Sequence, residues 1–178
     1  VRIYSIGFLM TSVFVTLFNY VTFRFSSAPY HLSQTQISLI FLSYSFGIVS
    51  SSIAGNLADR IGRKPILYFG FILMLVGVGF TLSEALFYII LGIAIVTTGF
   101  FISHSIASSN VGELAHENKG HAASLYLLFY YLGSSIVGSM SGLIWQKQGW
   151  NGIVILNICL IILALVVIAF TQRVRALD

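Results

Sequence analysis

The sequence predicts an all-α membrane protein of six transmembrane helices. Three observations carry that expectation. Apolar residues make up 57% of the chain and charged residues only 8%, whereas a soluble domain carries roughly a quarter charged residues. A mean hydropathy of +0.95 over 178 residues is more apolar surface than one core of that size can hide from water, so lipid must be the solvent. Finally, the apolar residues come in long runs, each near the roughly 20 residues needed to cross hydrocarbon, with short polar connections between them.

The first helix is expected over about 3–23, apolar apart from Asn19 and a few hydroxyls. A connection through Arg24, Pro29 and His31 follows. Ser33 with Gln36 three residues on has the capping-box spacing, so a second helix should start there and run over about 34–54. The connection 55–64 reads Gly55-Asn-Leu-Ala-Asp-Arg-Ile-Gly-Arg-Lys64 and holds Asp59, Arg60, Arg63 and Lys64. It is expected to be a tight cationic loop. Its two glycines, Gly55 and Gly62, are read as residues that permit close packing and turning. Pro65 suits the first turn of a third helix over about 65–82, where no N–H is needed. Ser83 and Glu84 make a very short turn before a fourth helix over about 85–108. A polar stretch over 109–120 separates it from a fifth helix over about 121–145, and the sixth should span about 151–170.

The helices differ in character. The third and sixth are apolar nearly all round and are expected to face lipid over much of their surface. The first, second, fourth and fifth carry Asn, Ser, Thr, His and Tyr, which need partners or water and so should face a bundle interior or cavity. Ser134, Gly138 and Gly142 form a row of small residues at four-residue spacing, suited to close helix packing.

Charge placement fixes an expected orientation. With the connection 55–64 in the cytoplasm, Arg2, Arg60, Arg63, Lys64, Lys119, Arg173 and Arg175 lie inside, and only Arg24 and Lys147 of the 9 basic residues lie outside. That is the positive-inside pattern, with both ends of the chain cytoplasmic. The pI near 9.4 does not point to nucleic acid, because the basic residues sit between apolar segments rather than along a soluble face. The single cysteine, Cys159, lies in an apolar run, so no disulfide or thiolate metal site can form within the chain. His116 and His121 are five apart without an evident third ligand, so no metal site is expected. The chain begins with Val and enters an apolar span almost at once, as a piece of a longer protein would.

The intramembrane candidates each have a bland and a sharper reading. His104, between Ser103 and Ser105, is either a neutral histidine bonded to a hydroxyl or carbonyl, or a group that handles protons or substrate. Asn19 can bond a substrate or a neighbouring helix. Phe100, Tyr126 and Tyr130, with Phe129 and Tyr131, are either packed against helices and lipid or line a cavity for flat organic molecules. Arg24 and Glu84, at the outer ends, are expected to be solvated or snorkelling.

The connection 55–64 also resembles the cytoplasmic loop signature of the major facilitator superfamily, Gly-x-Leu-Ala-Asp-Arg-x-Gly-Arg-Lys, at every defining position and at the same helix junction. The resemblance implies that the chain is one six-helix half of that fold, paired with another such half across a substrate path. The fifth helix lacks the Gly-Pro motif of the N-terminal half of drug–proton antiporters, so this half is expected to be the C-terminal one and the N-terminal half its partner. The stretch 111–120 resembles a loop of bacterial drug-efflux-type members, which implies a bacterial inner membrane.

In the family the loop aspartate and second arginine, here Asp59 and Arg63, form a charge cluster at the inner gate. The resemblance therefore marks Gly55, Asp59, Arg60, Gly62, Arg63 and Lys64 as gate residues. Asp59 would face a helix N-terminus of the missing half. The alternative is a basic loop that fixes topology, with an incidental ion pair.

The implied function is secondary active transport by alternating access, as proton-coupled efflux of a small amphipathic organic compound. No cofactor is implied. None of Asp59, Glu84, Glu113, Glu117 and Asp178 lies mid-span, so a coupling acid is expected in the missing half. The alternatives are a sugar or metabolite exporter of the same family, or a non-transporting receptor or scaffold. An enzyme is not expected, since no zinc triad, nucleophile elbow or paired mid-membrane carboxylates are present.

Overall fold

The computed structural model describes residues 2–115 and 118–170. Five segments are long and apolar enough to cross a membrane: Arg2–Ser26, Gln34–Ile61, Arg63–Phe80, Leu86–Leu114 and Lys119–Ala169. The first four are α1 to α4. The last is 51 residues long and is broken at Gly149, whose φ of 57° and ψ of −144° are not helical. It therefore comprises α5 (119–148) and α6 (150–169).

The chain reverses at Gly149. Trp145, before it, stacks on Tyr20 near the far end of α1. Trp150, after it, donates to the Thr81 carbonyl at the end of α3 at 2.9 Å. At the other end of α6, Arg2 at the start of α1 donates to the Phe170 carbonyl. The six helices thus traverse the bundle alternately. One end carries Gly62 and the other Trp150.

α1 is the central post. Ile6, Met10, Val13, Leu17, Val21 and Phe25 recur every three or four residues and are fully buried or nearly so. That single stripe packs α1 against α4, α5 and α6. Two of its buried hydroxyls are satisfied locally, Thr11 and Ser12 donating to the carbonyls of Gly7 and Phe8 at 2.8 and 2.7 Å, whereas the buried Thr16 hydroxyl has no partner among the described residues. α2 starts as its capping box requires, with the Gln36 N–H on Ser33 Oγ at 3.3 Å and the Ser33 N–H on Gln36 Oε1 at 2.9 Å. It winds as a 3₁₀ helix over Leu39–Ser43 and then as an α-helix over Tyr44–Ile61.

Here the structure departs from the expected boundaries. α2 does not stop at 54. It runs through most of the polar connection to Ile61, and the non-helical backbone at the junction is Gly62. Charged side chains need water, not coil, and a helix that protrudes into water satisfies both them and its own backbone. α4 likewise continues past 108 to Leu114, because Asn110 and Val111 are buried and extend its packed face. α5 starts at Lys119 rather than 121.

α3 is less lipid-like than its composition suggested. Gly70 and Gly77, seven apart and hence on one face, meet Gly99 and Gly92 of antiparallel α4. A Cβ on Gly77 would lie 2.6 Å from the Gly92 carbonyl oxygen, and one on Gly99 would lie 2.4 Å from that of Gly70. Backbone therefore packs on backbone, while Phe69, Ile72 and Val76 face outward. α6 is two-faced in the same way: Ile153, Asn157, Ile161, Ala164 and Ile168 are buried, and Ile155, Ile162, Leu163 and Val166 are exposed. α5 contains a π-helical turn over Gly133–Val137. Gly133 there abuts the Phe8 carbonyl of α1, and Gly142, in the row of small residues, abuts the Tyr20 hydroxyl.

Candidate gate and cleft

The Gly62 end gathers the charges. Gly62 has φ 92° and ψ 156°, a region open essentially to glycine. It ends α2 with its N–H on the Ala58 carbonyl at 2.8 Å, and α3 restarts at Arg63. The break throws Arg63 off the helical register of Asp59. Its guanidinium instead donates to both carboxylate oxygens of Glu113 at the end of α4. Asn110 Oδ1, one turn earlier, lies 3.4 Å from the same Arg63 Nη1. Such a forked pair is geometrically specific. With side chains 23% and 62% exposed, it is worth only about 0–1 kcal/mol in stability.

Asp59 and Arg60 are exposed, and Asp59 makes no ion pair among the described residues. Lys64 donates to the Ala169 carbonyl at 2.9 Å, so the end of α6 receives both Lys64 and Arg2. Gly55 has no neighbour within 4 Å of an added Cβ, and Gly62 has only Pro65 Cδ at 3.9 Å. Neither motif glycine is there for close packing among the described residues, contrary to the expectation. Gly62 is required by its backbone angles. His116 and Glu117 lie outside the described residues, as do Arg173, Arg175 and Asp178.

The Trp150 end is held by Arg24, which is neither free nor snorkelling. It donates to the carbonyls of Thr81 and Ser83 and sits 4.9 Å from the centroid of the Trp150 ring. Sequence reading treats Arg24 as solvated because its carbonyl partners lie some 60 positions away and carry no side-chain signal.

Inside the span, the structure brings together Phe100, His104, Tyr126 and Tyr130 from α4 and α5. His104 Nδ1 lies 3.2 Å from the Tyr126 hydroxyl. Phe100 lies parallel to the His104 ring at 5.8 Å, and Tyr130 approaches it at 5.1 Å. Gly7 of α1 leaves the space that Tyr126 fills, since a Cβ there would lie 2.7 Å from Tyr126 Cε2. Phe100 and Tyr126 are 3% and 2% exposed, so both are core residues of the bundle.

An open cleft of about 570 Å³ lies elsewhere, between α1 and α2. Phe14, Phe18, Asn19 and Thr22 line it from α1, and Phe41 and Tyr44 from α2. Of the sequence-derived pathway residues only Asn19 reaches it. Phe100 lies behind its wall, stacked on Phe14 with centroids 3.9 Å apart. The missed signal is a helical stripe, since residues 14, 15, 18, 19 and 22 share one face of α1.

The architecture defines a multi-pass helical membrane protein with a basic junction between its second and third helices and a polar, aromatic central face. The Major Facilitator Superfamily profile matches residues 3–177, and the chain belongs to that family. It is 41% identical over 171 residues to the uncharacterized MFS-type transporter YybF of Bacillus subtilis (strain 168), covering 96% of this chain and 42% of that protein. It is 42% identical over 165 residues to the inner membrane transport protein YnfM of Escherichia coli (strain K12), covering 93% and 40%. An uncharacterized transporter of Buchnera aphidicola subsp. Schizaphis graminum (strain Sg) is 42% identical over 163 residues, covering 92% and 40%. The chain thus spans about two fifths of the length of these relatives.

Proposed function

We propose that the chain is the C-terminal six-helix half of a secondary active transporter that works by alternating access and exports a small amphipathic organic compound against a proton flux. In this reading the Gly62 end is cytoplasmic and the membrane is the bacterial inner membrane. The Asp59 carboxylate supports it most directly. Arg63 is already held by Glu113, so Asp59 is left exposed at the mouth of the bundle, available to a helix N-terminus or cation of the other half. Making that contact closes the cytoplasmic side, and breaking it opens it. The cleft supports the substrate class, because its rings outnumber its hydrogen-bonding groups.

The test uses the full-length protein in proteoliposomes with an imposed proton gradient. Asp59→Asn should slow gradient-driven efflux and raise the population whose cytoplasmic side is open, read by cysteine labelling. Unchanged transport together with unchanged labelling would remove the gate role.

A further inference from the structure

The cleft between α1 and α2 has a chemistry that the transporter reading leaves open. Its walls are largely rings, and none of the side chains that line it is charged. The cation next along α1, Arg24, is spent on the Thr81 and Ser83 carbonyls and the Trp150 ring. Two of the four polar side chains on the wall are also spent. The Thr22 hydroxyl donates to the Asn19 main-chain carbonyl at 2.7 Å, and the Tyr20 hydroxyl donates to the Gly138 carbonyl at 3.3 Å. The Asn19 carboxamide and the Tyr44 hydroxyl remain, neither with a hydrogen bond among the described residues; Asn19 is exposed on the wall, whereas Tyr44 is partly buried.

We propose that this cleft is the subsite for an uncharged aromatic part of the transported molecule, whose hydrogen-bonding edge is read by the Asn19 amide. The proposal rests on the transporter reading and narrows its substrate. An ion entering this cleft would lose hydration and find no counter-ion on its walls. Aromatic faces could hold a cation, but here they are partly taken. Phe100 covers Phe14 at 3.9 Å, and Phe41 stacks on Phe18 at 5.7 Å. A flat neutral ring instead adds to the stack through its own face or edge. A carboxamide both donates and accepts, so it matches an amide, lactam or pyridone edge better than a carboxylate or an ammonium.

The experiment is equilibrium dialysis of the full-length protein in detergent against 2-naphthamide, 2-naphthoate and 2-naphthylmethylammonium, with empty micelles subtracted. Naphthamide should bind saturably at a concentration roughly ten-fold or more below either ion, the size expected when a hydrogen bond is matched rather than left unmade. Asn19→Ala should weaken it by about ten-fold on the same ground, with thermal stability unchanged because the side chain is exposed. Asn19→Asp should make the ammonium the preferred probe. Equal or tighter binding of an ion to the unsubstituted protein, no saturable binding of naphthamide, or full affinity in Asn19→Ala would overturn the assignment. Dialysis needs no gradient. Transport without naphthamide binding would remove the subsite but keep the transporter, and binding without any transport in proteoliposomes would do the reverse.

Discussion

Arg63, the first residue of α3, grips Glu113, near the end of α4, through both carboxylate oxygens. The pair ties two antiparallel helices at the Gly62 end and leaves Asp59 uncommitted. Its worth should be small and salt-sensitive. In a double-mutant cycle of Arg63→Gln and Glu113→Gln, the coupling in thermal or denaturant unfolding should be about 0.5–1 kcal/mol at low salt. It should fall toward zero near 1 M salt, where the screening length is only about 3 Å. A coupling that ignores salt would mean that the pair is more buried than its exposure indicates.

The two motif glycines should respond in opposite ways. Gly62→Ala forces a side chain into a backbone region open essentially to glycine and should cost about 1–3 kcal/mol. Gly55→Ala lies inside a helix with open space around it and should be neutral or stabilising by up to about 1 kcal/mol in this chain. Unfolding midpoints of the two variants check this. If Gly55→Ala lowers transport without lowering the midpoint, the empty space beside it is a contact surface, as the proposed pairing with a second six-helix half requires.

The α3–α4 seam should tolerate no side chain. Gly77→Ala and Gly99→Ala each place a Cβ within 2.6 Å of a backbone oxygen on the facing helix. Each should destabilise by about 1–3 kcal/mol through forced separation of the helices. Gly79→Ala, two residues from Gly77 and without a neighbour within 4 Å, is the control and should not. Size-exclusion profiles and melting curves of the three variants distinguish them.

The His104–Tyr126 bond should be structural. Tyr126→Phe leaves His104 Nδ1 without its partner at 3.2 Å and should cost about 1 kcal/mol, the usual net worth of one hydrogen bond. His104→Gln should lower stability while leaving the pH profile of transport in place. A profile that moves in His104→Gln but not in Tyr126→Phe would instead make His104 a proton carrier.

Local signals in the sequence were reliable where they act locally. The Ser33–Gln36 capping box forms as its spacing requires, and the break between α2 and α3 falls inside the polar motif. Boundaries were less legible. The charges of 55–64 suggested a loop, yet all four are helical: Asp59 and Arg60 on the last turn of α2, Arg63 and Lys64 on the first turn of α3. The glycines of α3 and α4 lie within apolar runs, and nothing in one helix says that its glycines will meet those of another. Glu113 was visible as a carboxylate, but its partner Arg63 is 50 positions away.

The sequence by itself determined that this chain lives in lipid, is helical throughout its spans and carries the major facilitator junction. Those properties follow from hydropathy, run length and a contiguous motif, which neighbouring residues decide together. Only the tertiary structure decided which aromatic residues are core and which line a cleft, that Arg63 belongs to Glu113 rather than Asp59, and that Arg24 closes the far end. In a membrane, apolar surface is welcome on either side of a helix, so composition cannot tell a lipid face from a packed one. Steric fit between helices and the pairing of the few polar groups across them make that distinction.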